Sequence, residues 1–132
     1  MILRLALVAL GLFHLINGTW MLIAPDSWYA AVPGVPMTGP MNHHFIGDIG
    51  LAFIASGGGL LLGARAGATA ATLALAGATW PALHAFMHIA EWLEHGFPVQ
   101  PDVALSEAVG VVAISFLGAG LAWLRARKEG VM

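Results

Sequence analysis

Four long apolar runs constrain this chain more than any other feature of its sequence. They cover about residues 2–24, 45–64, 68–92 and 103–124. At about 1.5 Å of rise per residue, each is long enough to cross a hydrocarbon core about 30 Å thick. Backbone N–H and C=O groups in such a core must be bonded within the protein, which leaves only helices or a closed barrel. No run alternates apolar and polar residues as a barrel strand must. The prediction is therefore all-α: an integral membrane four-helix up-down bundle, with residues 1–132 as a single transmembrane domain. Composition agrees. Charged residues make up 9% and hydrophobic residues 59%, against about 25% charged in an ordinary soluble domain, and the mean hydropathy is +0.84.

Charge placement predicts orientation. All five basic residues (Arg4, Arg65, Arg125, Arg127, Lys128) lie at the chain ends or in the link between the second and third runs. The positive-inside rule makes that side cytoplasmic, with both termini inside, and the expected location is the bacterial inner membrane, crossed several times. Six acids (Asp26, Asp48, Glu91, Glu94, Asp102, Glu107) lie toward the other, periplasmic side, and only Glu129 does not. Trp20, Trp28, Tyr29 and Trp92 gather near the outer boundary and Trp123 near the inner one, as an aromatic belt would. The first run carries Arg4 but also His14 and Asn17, and no clear A-x-A site follows it, so it is expected to be a retained helix. Cysteine is absent, which excludes disulfides, thiolate metal sites and thiol catalysis. A net charge of −2 gives no reason to expect a nucleic-acid partner.

The connection over residues 25–42 is longer than a hairpin needs. Asp26 or Ser27 is expected to cap a short interfacial helix through Ala31, and the four prolines of the connection stiffen it into a cover. Pro101 and Asp102 suit the start of the last helix. The second and fourth runs are rich in small residues, and the Gly59/Gly63 spacing predicts close helix approach in lipid; a homodimer or a larger membrane complex is compatible with it. A weak internal repeat lays Asp48, Ser56 and Gly59 on Glu107, Ser115 and Gly118, and sets His14 beside His84.

The third run ends in WPALHAFMHIAEWLEH, Trp80 to His95. At about 100° per residue, His84, His88, Glu91 and His95 share one face, within an arc of about 60°. Depth, counted from the rise per residue, puts His44 and His88 near the interface, Asp48, His84 and Glu107 about 6–10 Å in, and His14 near the midplane. His95 lies at or beyond the interface, and Glu94 points off the stripe. His44 and Asp48 share a face of the second helix, while His14, Asn17, Gly18 and Met21 form a stripe on the first. Ionisable groups inside a bilayer cost about 2.5–3.5 kcal/mol each even on lenient scales, so they point to a site. Turned inward, the stripes would assemble His14, His44, Asp48, His84, His88, Glu91 and Glu107 around one cavity facing the periplasm.

Imidazole and carboxylate donors suit a transition metal such as Zn, Fe or Cu, making a metal-binding membrane protein the first functional reading. Heme b held by His14 and His84 is the alternative cofactor. Without metal, the same groups would serve a proton-coupled carrier or the acid/base pair of a lipid-modifying enzyme. A structural or assembly subunit, its histidines satisfied by carboxylates, is the remaining reading. No residue is singled out as catalytic.

The opening LRLALVALGLFHLINGTWMLIAP, the WYAAVPGV loop with TGP after it, and the helix entry NHHFIGDIGLAF resemble small bacterial four-helix membrane proteins of the DoxX-like kind. The resemblance covers the whole chain and is one of layout and texture. It implies an α-helical bundle and a link to respiratory or quinone-linked oxidation, with a quinone as partner. The concentration of histidines on the third helix is a departure from that pattern.

Overall fold

Proline, glycine and asparagine decide where the helices begin and end. The structure, a computed structural model describing residues 1–132, is all-helical with no strand. Helix α1 spans Ile2–Ile23, α2 Pro25–Ala31, α3 His43–Gly63 and α4 Ala68–His95. A continuous last helix, α5, spans Pro101–Lys128. Pro25 and Pro101 occupy first-turn positions, where a missing N–H costs nothing. Asn42 caps α3 by accepting the Phe45 N–H at 3.1 Å. Gly67 and Gly96, at φ 101° and 90°, flank α4 in a conformation that side chains avoid. Neither Asp26 nor Ser27 caps α2, because Ala24 precedes it and Pro25 fills its first position. Asp26 instead meets His43 at 3.3 Å, tying α2 to the start of α3.

Consecutive long helices run antiparallel, each packed on the next, and α5 returns to α1. Glycine makes the approaches close. A Cβ on Gly18 would lie 2.4 Å from the Gly50 carbonyl oxygen, and one on Gly57 2.7 Å from that of Gly11, so α1 and α3 meet almost backbone to backbone. Gly59 and Gly63 press on Gly77 and Ala74 of α4, as their spacing predicts. The glycines of α5 do not share this role: Gly110 and Gly120 have nothing near them.

Leu7, Leu10, Leu60, Ala74, Ala78 and Ala122 form the apolar core. Below it, at the end bearing the basic residues, the buried Arg125 donates to the carbonyls of Gly63 and Arg65 and to the Glu129 carboxylate. That hydrogen bond holds the Glu129 carboxyl below its ordinary range.

Three helices, α1, α3 and α5, are long and apolar enough to cross a membrane. The fourth long helix, α4, is less apolar and is not among them. It runs on to His95 and carries three histidines and two glutamates along its last four turns. The outer surface is nonetheless apolar on every long helix, with Leu5, Ile16, Leu51, Phe86, Leu93 and Leu117 all exposed. So continuous an apolar surface is foreign to a water-soluble monomer.

Candidate functional site, a covered cavity lined by rings and acids

A cavity of about 730 Å³ lies at the end where α2 and the following loop cross the helices. Each long helix supplies a wall. Helix α1 gives His14 and Asn17, α3 gives Phe45 and Phe53, α4 gives His84, His88 and Glu91, and α5 gives Glu107 and Ser115. Trp28, Tyr29 and Gly34 come from the cover.

The cover is fastened by polar ties. Trp28 Nε1 donates to Asn17 Oδ1 at 3.0 Å, and the Tyr29 hydroxyl donates to the Gly39 carbonyl at 2.8 Å. Gly34 brings the loop backbone down onto α5: its φ is 89°, and a Cβ there would stand 3.1 Å from Val103 and 3.6 Å from Glu107 Oε1. Both the conformation and the space call for glycine.

A chain of stacked rings runs through the site. His14 stacks on Phe53 at 5.5 Å, Phe53 meets Trp80 edge-on at 4.8 Å, Trp80 stacks on His84 at 5.1 Å, and His84 meets His88 edge-on at 4.8 Å. His88 Nδ1 then lies 3.6 Å from Glu107 Oε2 and 3.9 Å from Glu91 Oε2. Glu107 Oε2 accepts the Trp92 indole N–H at 2.7 Å. Two ring nitrogens, His14 Nδ1 and His88 Nδ1, are buried without a hydrogen-bond partner. Buried polar atoms are ordinarily paired, so these two stand out at the cavity wall.

Glu107 lies in the first turn of a change of winding. Between α-helical stretches over Pro101–Leu105 and Ile114–Lys128, α5 is π-helical from Ser106 to Ala113. Such segments are rare and frequent at functional sites, because the extra residue re-aims side chains without ending the helix.

Of the residues expected at the site, His14, His84, His88, Glu91 and Glu107 do line the cavity. His44 and Asp48 do not, which is a correction. Their side chains are 90% and 60% exposed and pair with each other at 3.5 Å on the outside of α3. The face of α3 that turns inward is chosen by Ile46, Gly50, Gly57 and Leu60, which allow α1 to close in, and His44 and Asp48 fall on the opposite side. His95 and Glu94 are exposed, as their positions predict. The proposed repeat holds for the buried Ser56 and Ser115 and for His14 and His84, but its acids part company, Asp48 outward and Glu107 inward.

No three His, Asp or Glu side chains converge as metal ligands in the structure. For heme, Phe53 packs against both His14 and His84, in the space a macrocycle between them would need.

Phe53, Trp28, Trp92 and Gly34 escaped the sequence reading. Trp28 and Trp92 carried a signal, but the aromatic-belt explanation absorbed it. Compared with known proteins, the chain matches no family model, no curated protein and no solved structure.

Proposed function

We propose that this is a four-helix membrane protein that binds a small amphipathic ligand in the covered cavity, beside the His88–Glu107 pair. The bilayer solvates its apolar surface, and α4 completes the bundle by turning its histidines to the cavity and Leu83, Phe86 and Leu93 outward. The basic end faces the cytoplasm and the cavity the periplasm of a bacterial inner membrane. The observation that carries the binding reading is the cavity itself. Its volume of about 730 Å³ falls within the ordinary range for ligand sites, its walls are mostly apolar, and two unpartnered imidazole nitrogens are buried at it. The resemblance to DoxX-like proteins adds quinones, planar rings with two carbonyls, as a neutral ligand of suitable size.

The test is saturable binding of a short-chain benzoquinone and of 3-tert-butylphenol to the purified full chain, read by calorimetry. Gly110 lines the cavity and a Cβ there would meet nothing within 4 Å, so Gly110→Trp is chosen to add bulk at the site. Binding is expected to weaken by about 10-fold or more in that variant, one good apolar contact region being worth at least that factor. Absence of saturable binding, or binding that Gly110→Trp leaves untouched, refutes the reading.

A further inference from the structure

The charges around the cavity have one sign. Glu91 and Glu107 line it and no lysine or arginine does. All five basic side chains lie at the other end of the molecule or in the link there. Glu107 is the deeper acid, its side chain 20% exposed against 54% for Glu91. One of its oxygens is taken by the Trp92 N–H, and the other lies beneath the loop at Gly34. A carboxylate in so apolar a place calls for a counter-charge. The protein's own candidate is His88, and it stands off at 3.6 Å with its nearer nitrogen unbonded. The rings of Trp28, Tyr29, Phe45 and Phe53 line the same space, and aromatic faces attract cations.

Building on the binding reading above, we propose that the cavity selects an amphipathic organic monocation, a tertiary or quaternary ammonium, whose charge is held at Glu107 and whose apolar part lies against the aromatic walls. An anion would meet two carboxylates and no basic side chain. A neutral ligand would fill the space but leave Glu107 without a counter-ion. The ligand cation and a proton on His88 compete for the same carboxylate, so cation binding displaces a proton.

The groups that face Glu107 across the cavity are His84, His88 and Glu91 of α4 and His14 of α1. Protons taken up by any of these, or by Glu107, make the cavity less negative. Affinity for a cation therefore falls as pH falls.

Two isosteric probes test this: (3-hydroxyphenyl)trimethylammonium and 3-tert-butylphenol, which differ only in a charged nitrogen for a carbon. The cation is expected to bind the full chain about 10-fold tighter than the phenol. Glu107→Gln should abolish that preference by weakening the cation far more than the phenol, and an unchanged circular-dichroism spectrum shows that the variant is folded. Should Glu107→Gln fail to fold, the wild-type protein gives the second measurement. The preference should fall by about 5-fold between about pH 7 and about pH 4, as protons taken up around the cavity offset its negative charge, with phenol affinity flat. Equal affinity for the two probes, a preference that survives Glu107→Gln, or a pH-independent preference overturns the proposal. If both probes bind equally and Gly110→Trp excludes both, the cavity stands as a ligand site and only its charge selectivity falls.

Discussion

Glycine, not charge, decides which way α3 faces. Its polar pair, His44 and Asp48, looked like an inward stripe because a membrane-spanning helix is expected to hide such groups. At the first turns of α3 they can remain exposed near the membrane boundary, so hiding them gains little. Omitting every Cβ along Gly50 and Gly57 gains far more, since α1 then packs against bare backbone. This is why His14 of α1 and His84 and His88 of α4 were legible in the sequence and His44 of α3 was misplaced: a polar stripe and a small-residue stripe competed for the interior, and the small residues won. The same rotation places Phe53 against His14 and His84. Gly18→Ala, whose new methyl would meet the Gly50 carbonyl at 2.4 Å, is expected to destabilise the protein by about 1–3 kcal/mol, as overpacking does. Gly58→Ala, with nothing within 4 Å, should leave stability unchanged or slightly raised. Unfolding in detergent, followed by circular dichroism, separates the two, and equal behaviour would mean that the α1–α3 approach is not this tight.

At the scale of elements, α5 is where sequence reading had least to work with. Its apolar run, its start at Pro101 and its inward acid were all legible. The π-helical winding from Ser106 to Ala113 was not, because no residue type signals it: one extra residue in a run of small and branched apolar side chains looks like any other apolar run. The winding matters because it sets the angle between the part of α5 that carries Glu107 and the part that packs through Ser115 and Ala122. Deleting Val109, which is largely exposed, should restore α-helical winding and turn Glu107 by about 100° relative to the following helix. The expected outcome is retained helicity by circular dichroism, loss of the Trp92–Glu107 hydrogen bond seen as a shift in indole fluorescence, and loss of the preference for the ammonium probe over the phenol. A deletion variant that keeps the preference would show that the π segment does not position Glu107.

For the molecule as a whole, the division of charge between the two ends does two jobs. At the basic end, Arg125 binds the carbonyls at the close of α3 and the Glu129 carboxylate, fixing the helices below the core. At the acidic end, a cavity opens among the helices, which are tied there by the Trp92–Glu107 hydrogen bond and by the cover. One end is thus tied at the backbone and the other encloses a cavity, and if the proposed function holds, orientation in the bilayer sets the compartment from which a ligand comes. The chain contains no cysteine, so single substitutions report topology without background. Ser27 in α2 and Ala66 in the link between α3 and α4 are both exposed and lie at opposite ends. In intact bacterial cells whose outer membrane has been made permeable, Ser27→Cys should react with a membrane-impermeant maleimide, and Ala66→Cys should react only after the inner membrane is also opened. The reverse pattern would put the cavity on the cytoplasmic side and make its ligand a cytoplasmic one. Reaction of both in intact cells would mean that the two ends are not separated by a bilayer, and the exposed apolar surface would then have to be covered by protein.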